Sequence, residues 1–534
     1  MNYKKINRVT TICLIAGIII LGWIFRYSMN TDAVAYLRIA EYYSAANFDL
    51  AISGYWGPLL SWLLALLIKL GIAPLISARV VMGISALIFY FACDYFFKRS
   101  NLREEWGAAG RLTAGCASLV WSVQQITPDL LMAGLLTLAA AKIIPQTTGK
   151  EDYDWLLTGV LFGFAYLCKP VAFPIAILMI CLFLLVVFIT ERHKFFIAFK
   201  AALKIGAIFL LISSVWITVL SLKYHRITIT TSAAIAHSIA APGEKAELHP
   251  FSIGFHKPQQ GRITDWEDPS RLPYNFWSPV SSISNILYQL KVIGLNTLLI
   301  LGMLFGLHPV LFILSFATLR WIFKWGDTGY LASMSWFRLL APAFVICVVY
   351  LPVRVSIKDV RYFYPVLPFV FASVALFFSM RVESWKLKRP GTVRFLPLFL
   401  AIGTALIPIL PGAIQAIHSY QAGLCAHKIA DGIKKLDIKG NIAGNALIPG
   451  GRVGLFTAFL LNRPWYGDSL NPKIEDVKNS NATVFIASAN NPLGQVLQKY
   501  PQDFEDITDK VFKAANSENS CSDVIKIYAL KPNL

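Results

Sequence analysis

A long apolar run ends at an acidic residue in Val9-Thr-Thr-Ile-Cys-Leu-Ile-Ala-Gly-Ile-Ile-Ile-Leu-Gly-Trp-Ile-Phe-Arg26-Tyr-Ser-Met-Asn-Thr-Asp32. A run of this length can cross a hydrocarbon layer of ~30 Å. It has no clear small-residue cleavage site, so we expect it to stay in the protein as a membrane span. The basic residues before it predict a cytoplasmic N-terminus under the positive-inside rule: Lys4, Lys5 and Arg8.

The composition of the chain indicates an integral membrane protein. The 534 residues are 56% hydrophobic and only 15% charged, whereas soluble proteins carry roughly a quarter charged residues. The net charge of +19 is typical of basic residues retained in cytoplasmic loops. Because these residues are dispersed through short loops and form no stripe, we expect no nucleic-acid partner.

Hydropathy predicts an α-helical polytopic protein with about eleven transmembrane helices. Alternating sides along the chain leaves the basic loops on the cytoplasmic face, which supports this topology. One further apolar run, 58–70, is short for a span and suits a helix lying at the interface, in the first outer loop. The predicted spans lie near 9–25, 76–97, 107–123, 129–145, 154–168, 171–190, 200–222, 288–318, 338–354, 363–380 and 394–411.

Three segments are predicted to face outward: 26–75, 223–287 and the tail after about 412. The tail is richer in polar residues, and its apolar runs at 481–488 and 524–530 have the length of strands. A helix is predicted at 421–436. The domains are therefore a transmembrane domain, 1–411, and a small extracytoplasmic α/β domain, 412–534.

Cys425 and Cys521 are the two cysteines outside the predicted spans. They could form a disulfide bond if that side of the membrane is oxidising. The sequence favours two unpaired cysteines in the core of the tail domain.

Two acids open helices on the predicted outer face. Asp32 follows Asn30 and Thr31, all good N-cap residues, and its helix places it roughly on one face with Tyr36, Tyr43 and Asn47. Asp129 follows Thr127-Pro128, which is also an ordinary helix start. Capping alone would explain both acids. Their shared side of the membrane favours a second role, in which carboxylates bind a hydroxyl and accept its proton.

Two cations are also predicted on the outer face. Lys169 lies between two spans, and Arg361 lies in Arg361-Tyr-Phe-Tyr-Pro365. A snorkelling lysine and an interfacial arginine are the structural alternatives. Together the two cations could hold a phosphate. The aromatic residues proposed to bind substrate beside these charges are Tyr36, Tyr55 and Tyr362.

No metal site is expected. Four of the eight histidines fall in 223–287 without tight metal-ligand spacing. Glu267 and Asp268, in the same loop, are predicted to be turn residues. We expect no cofactor, with a divalent metal as the alternative.

In order and sidedness, these segments resemble the C-type glycosyltransferase superfamily, which includes protein O-mannosyltransferases and bacterial aminoarabinose transferases. The resemblance covers roughly 9–415. It rests on an acid after the first span, an aromatic-Gly-Pro segment, a second acid opening a later span, and an Arg-Tyr-x-x-Pro segment. Here these are Asp32, Tyr55-Trp-Gly-Pro58, Asp129 and Arg361-Tyr-Phe-Tyr-Pro365. The family often has an acid pair at the first position, whereas here Ala33 follows Asp32.

The resemblance implies transfer of a sugar from a polyprenyl-phosphate donor to a lipid, glycan or protein acceptor, at the outer face of a bacterial inner membrane. Asp32 would be the base, Asp129 would orient the acceptor or support Asp32, and Lys169 and Arg361 would hold the phosphate. The alternatives are a non-catalytic flippase or transporter of a lipid-linked saccharide, and a polysaccharide polymerase or ligase. A transporter should contain two related halves with interrupted helices, and the sequence has no such halves.

Overall fold

The computed structural model of the protein describes residues 3–143, 154–243, 249–322, 330–353, 359–386, 402–403, 405–407, 409–449, 451–516, 521 and 523–531. The fold is mostly helical, as expected for a polytopic membrane protein. Its α-helices are α1 (Tyr3–Ile24), α2 (Thr31–Ser44), α3 (Phe48–Ala51), α4 (Pro58–Lys69), α5 (Pro74–Arg99), α6 (Glu104–Gln124), α7 (Asp129–Ile143), α8 (Trp155–Cys168), α9 (Ala172–Thr190), α10 (Phe195–Tyr224), α11 (Ser232–Ser238), α12 (Ile283–Leu307), α13 (Pro309–Ile322), α14 (Tyr330–Tyr350), α15 (Val366–Lys386), α16 (Ile409–Lys435), α17 (Val453–Leu461), α18 (Ile474–Asn479), α19 (Pro492–Lys499) and α20 (Thr508–Ala514).

Five helical segments of the described residues are long and apolar enough to cross a membrane. They correspond to α1, α5, α9, α10 with the short turn before it, and α12. Four further apolar helices are shorter, and one of them is α4, the predicted interfacial helix. The total of about eleven spans stays a prediction, and most of the predicted span 394–411 lies outside the described residues.

The predicted span 288–318 is wrong, because two helices occupy it. α12 ends at Leu307 and α13 begins at Pro309, with His308 in an extended conformation between them. Proline lacks the N–H that a continuing helix needs, and it disfavours helical backbone at the residue before it. α12 packs along the connection between α14 and α15: Asn296 donates hydrogen bonds to the Leu351 and Val353 carbonyls, and Gly306 lies beside Val360. α13 packs against α15.

The tail contains a four-stranded sheet, whose strands follow in the order β2 (Ile442–Ala443), β6 (Val484–Ser488), β8 (Ile525–Leu530) and β7 (Phe504–Asp506). The pair β2–β6 is parallel, and the pairs β6–β8 and β7–β8 are antiparallel. The strands predicted at 481–488 and 524–530 are both present as β6 and β8. The chain's strands are β1 (Gly254–Phe255), β2 (Ile442–Ala443), β3 (Leu447–Ile448), β4 (Gly451–Arg452), β5 (Gly467–Asp468), β6 (Val484–Ser488), β7 (Phe504–Asp506) and β8 (Ile525–Leu530).

A disulfide bond joins Cys425 and Cys521, so the expectation of two unpaired thiols is wrong. Their Cα atoms are 6.2 Å apart, within the range that such a bond can bridge. Cys425 lies on α16, which begins at Ile409 and is therefore longer than the predicted helix 421–436. The bond ties this helix to the segment that precedes β8.

The tail, the loop 249–282 and the first helices share one apolar core. Strand β1 of the loop pairs with β5 of the tail, with Gly254 opposite Asp468. Phe251 and Trp266 of the loop are buried together with Trp465 of the tail and Val34 of α2. The loop and the tail therefore pack as one layer on α2 and α4.

Candidate active site

Four separate segments bring charged side chains to one end of the helices. Asp32 lies in the first turn of α2, Asp129 opens α7, Lys169 follows α8, and Arg361 lies in a 3-10 helix between α14 and α15. Asn30 fastens two of these segments together, because its side-chain oxygen accepts a hydrogen bond of 2.9 Å from the Ile126 N–H. The start of α2, which carries Asp32, is thus held beside the connection that leads to Asp129.

Arg361 is at the centre of the cluster. Its Nη2 lies 2.8 Å from Asp32 Oδ2 and 2.9 Å from Asp359 Oδ2, and its Nε lies 3.8 Å from Asp129 Oδ2. Its Nη1 donates to Gln125 Oε1 at 2.8 Å. The Arg361 side chain is only 11% exposed. One guanidinium therefore lies within reach of three carboxylates.

Lys169 is the second cation of the cluster. Its Nζ donates to Asp129 Oδ1 at 2.5 Å and lies 4.1 Å from the centre of the Tyr362 ring. The Asp129 side chain is 1% exposed, and its Oδ2 has no hydrogen bond to any residue that the structure describes. With three carboxylates and two cations, the five groups carry a formal charge of −1. The structure thus directs Asp129 at the two cations and not at open space.

Asp32 does not cap its helix. Asn30 is the N-cap residue of α2, and no side chain caps this helix end. The Asp32 side chain is 17% exposed and contacts the guanidinium of Arg361. The helix-capping alternative therefore does not account for Asp32, which is the more open of the two predicted acids.

The three predicted aromatic residues line this region in different ways. Tyr36 is buried, with its ring 4.9 Å from the Trp56 ring. Tyr55 is partly buried between Trp56 and Trp266, and Tyr362 stacks on Tyr350. Tyr55 and Tyr362 are consequently better placed than Tyr36 to face a bound molecule.

Gly57 allows the Tyr55 segment to approach Lys169. A Cβ atom at Gly57 would lie 2.2 Å from the Cys168 carbonyl oxygen, immediately before Lys169. No larger residue fits there without moving the backbone. The Gly-Pro segment is therefore needed for close packing, which the sequence pattern alone did not explain.

Several predicted residues lie away from the cluster. The Tyr43 ring packs 6.2 Å from the Trp62 ring, and Asn47 is exposed. Glu267 and Asp268 are not ordinary turn residues, because both are buried and bound to cations: Arg262 lies 3.5 Å from Glu267, and Lys223 lies 2.9 Å from Asp268.

His249 is one of the residues that lie near Asp32. Its Nδ1 lies 2.8 Å from the Tyr274 hydroxyl, and its ring lies 4.4 Å from the Trp266 ring. Burial lowers the pKa of His249 to about 4, so the ring is neutral at physiological pH. A neutral imidazole cannot supply a positive charge to a phosphate. Its place among aromatic rings suits contact with a sugar instead.

The sequence did not single out Asp359 or Gln125. Both contact Arg361 directly. An acid two residues before an arginine in a membrane protein was a usable signal, since buried cations are normally paired. Gln125 gave no such signal. Among the described residues, no three His, Cys, Asp or Glu side chains are grouped to hold a metal ion, and the expectation of a metal-free site stays a prediction.

No family model matches the sequence, and no curated protein matches it. Solved structures do match the fold. ArnT from Cupriavidus metallidurans bound to undecaprenyl phosphate has a TM-score of 0.54 at 13% identity, over 98% of this chain and 99% of that one. Its apo state gives 0.53 at 12% identity over the same shares.

A lower likeness is found to the Archaeoglobus fulgidus oligosaccharyltransferase in the apo form. Its TM-score is 0.45 at 9% identity, and the match covers 91% of this chain and 69% of that one. The end-to-end match with ArnT covers the helices, the loop and the tail alike. The chain therefore has the same overall fold as ArnT.

Proposed function

We propose that the protein is a membrane glycosyltransferase that moves a sugar from a polyprenyl-phosphate donor to an acceptor at the outer face of a bacterial inner membrane. The observation that carries the proposal is the cluster around Arg361. Asp32, Asp129, Lys169 and Arg361 come from distant parts of the sequence and meet within ion-pair distances. Burying such charges is costly unless they are used or fully paired.

In the proposed reaction, the acceptor hydroxyl attacks the anomeric carbon of the sugar. The bond from that carbon to the phosphate oxygen breaks, and the polyprenyl phosphate leaves with both electrons. Asp32 takes the hydroxyl proton, because it is the more exposed of the two predicted acids. A single displacement inverts the anomeric centre, by analogy with inverting glycosidases.

Lys169 and Arg361 stabilise the negative charge that develops on the leaving phosphate. Asp129 lies close to both Lys169 and Arg361, so its proposed role is to orient these two cations. This position supports a positioning role for Asp129 over direct contact with the acceptor. Asp359 would share Arg361 with Asp32 until the donor phosphate arrives.

An apolar cavity beside the cluster suits the lipid chain of the donor. It has a volume of about 330 Å³ and is lined by α12, α13, α14 and α15. Val366 and Leu367 line it and closely follow Arg361 along the chain. A donor could thus place its phosphate at the cations while its isoprenoid tail lies in this cavity.

The decisive experiment separates transfer from transport. Purified protein in detergent is given a panel of polyprenyl-phosphate sugars, with envelope lipids and glycans as acceptors, and free polyprenyl phosphate is measured. A transferase releases it without any membrane barrier, whereas a flippase leaves the donor intact. The matched control is Asp32→Asn, in which release should disappear. Donor that stays intact throughout the panel, together with sugar-lipid translocation in vesicles, would favour the flippase.

A further inference from the structure

A second, larger cavity lies on the other side of α2. Its volume is about 900 Å³, and both the first helices and the tail line it. Arg38, Glu41 and Tyr42 of α2 face it, as do His427 and Phe459 of the tail. Asp32, Asp129 and Arg361 are not among the lining residues, so the cavity is separate from the candidate active site.

The geometry of α2 explains this separation. Successive residues of an α-helix are rotated by about 100°. Arg38 and Glu41 therefore lie roughly opposite Asp32 and Tyr36 around the helix axis, and Tyr42 lies to the side between the two faces. One helix thus presents one face to the charged cluster and the other to the cavity.

Among the described residues that line the cavity, Arg26 is the arginine that has no carboxylate partner. Its guanidinium lies 4.7 Å from the centre of the Trp23 ring and 4.5 Å from that of Tyr27, and its Nη1 donates to the Trp23 carbonyl at 3.0 Å. None of these contacts is a carboxylate. Arg38, in contrast, is paired with Glu41 at 2.5 Å. The uncompensated charge of the cavity therefore lies on Arg26, at the end of α1.

The start of α5 adds to the attraction for an anion. Ala73, Pro74, Leu75 and Ile76 line the cavity. Ala73 occupies the N-cap position and has no side-chain acceptor, so first-turn N–H groups of this helix remain available. A helix N-terminus attracts negative charge, and here it reinforces the unpaired guanidinium.

The cavity also adjoins an apolar surface. Ile19, Ile20, Trp23 and Ile24 of α1 are all exposed, and the Trp23 side chain is 65% exposed. These residues form the last turns of a helix that is long and apolar enough to cross a membrane. A ligand held at Arg26 could therefore continue along α1 with an apolar chain.

We propose that this cavity binds a phospholipid, with Arg26 and the start of α5 holding its phosphate and the end of α1 contacting its acyl chains. Because both the first helices and the tail line the cavity, the bound lipid also bridges them. Binding should therefore raise the temperature at which the purified protein unfolds.

The test uses delipidated full-length protein with four probes: phosphatidylglycerol, phosphatidylethanolamine, diacylglycerol of the same chain length, and inorganic phosphate. Retention is measured by native mass spectrometry, and unfolding by tryptophan fluorescence. Arg26→Gln removes the cation, and Ala45→Phe fills the cavity. Lys69→Gln is the matched control, because it removes a cation that is exposed nearby on α4 and does not line the cavity.

Wild-type protein and Lys69→Gln should retain a phospholipid over diacylglycerol and unfold at a higher temperature when it is bound. Arg26→Gln should weaken retention roughly tenfold or more, as expected when a charge-assisted contact to phosphate is lost, and Ala45→Phe should do the same by occupying the space. Equal retention of diacylglycerol, or unchanged retention in both variants, would overturn the proposal. Binding of inorganic phosphate without phospholipid would assign the cavity to free phosphate and overturn the lipid assignment.

Discussion

Two buried charge clusters of this protein use the same residue types for different ends. In the loop cluster, Glu267 is fully buried, and its oxygens accept hydrogen bonds from the Ile263 and Thr264 N–H groups and the Tyr42 hydroxyl. Among the described residues, Asp129 Oδ2 of the Arg361 cluster has no hydrogen bond, whereas both clusters leave arginine nitrogens without one, at Arg361 and Arg262. A structural cluster satisfies its carboxylates from within the protein, whereas a site leaves bonding capacity for a ligand.

Exposure separates the two clusters as well. Arg262, Glu267 and Asp268 have side chains that are at most 1% exposed. Asp32 and Asp359 are 17% and 20% exposed. The first cluster fixes the loop to α2, whereas a substrate can reach Asp32 and Asp359 of the second, although Asp129 is as buried as the loop acids. If this interpretation is correct, mutations in the two clusters should affect different measurements.

The largest effect is expected for Asp32→Asn. Removing the general base should lower the transfer rate by roughly 10²–10⁴-fold, while the unfolding temperature stays close to that of the wild type. Asparagine is isosteric with aspartate and equally acceptable near a helix start. Donor turnover and thermal unfolding are measured on the same preparation. A wild-type rate would show that Asp32 is not the base.

Arg361→Ala and Lys169→Ala should come next. Each removes a cation from the proposed phosphate site, at a cost on the order of 2–4 kcal/mol in transition-state stabilisation. We expect kcat/KM for the donor to fall accordingly, with the Arg361 variant the more affected because its guanidinium contacts three carboxylates. Unchanged donor kinetics in both variants would leave these residues as interface anchors.

Glu267→Gln tests the opposite side of the comparison. It leaves Arg262 with weaker compensation in a site that is closed to solvent, and should cost about 2–4 kcal/mol of stability. The unfolding temperature should fall while kcat of the folded fraction is unchanged. Glu505→Gln is the matched control, since its ion pair with Lys510 is exposed and contributes little. A selective loss of kcat in Glu267→Gln would break the distinction between the clusters.

The smallest effect is expected for Asp468, a buried acid that is stabilised less than Glu267 by nearby cations and hydrogen-bond donors. Burial raises its pKa to about 7. The folded protein therefore keeps a proton that the unfolded chain releases near pH 4, so stability should decline as the pH rises from about 4 to about 7 and level off above that. Asp468→Asn should flatten this part of the stability–pH curve, and the exposed Asp437→Asn should not. A slope that persists in Asp468→Asn would assign it to another group.

The sequence was sufficient for features that depend on composition and order. The helical membrane class, strands β6 and β8, and four of the five charged residues of the cluster all follow from hydropathy, sidedness and short patterns. It was insufficient where a contact depends on tertiary geometry. Gln125 reaches Arg361 only because the α6–α7 connection lies beside it, and Tyr36 turns its ring to Trp56.

Two errors had readable causes. The apolar run 288–318 is long for one span, and the His308-Pro309 pair within it marks the break. The Glu267-Asp268-Pro269 pattern predicts turn residues, because acids before proline are common in turns. Lys223, the partner of Asp268, lies far away in the sequence, so local spacing could not show that pairing, whereas Arg262 precedes Glu267 within the same loop.

The shared layer of loop and tail decides how this protein can be cut and recombined. A chain ending at 411 would leave strand β1 without β5 and uncover Phe251 and Trp266. It would also remove neighbours of α2, the helix that carries Asp32. Truncation should therefore produce an aggregation-prone helical remnant and not a minimal enzyme. Chimeras with related proteins would need to exchange residues 249–282 and the tail together, as a single graft.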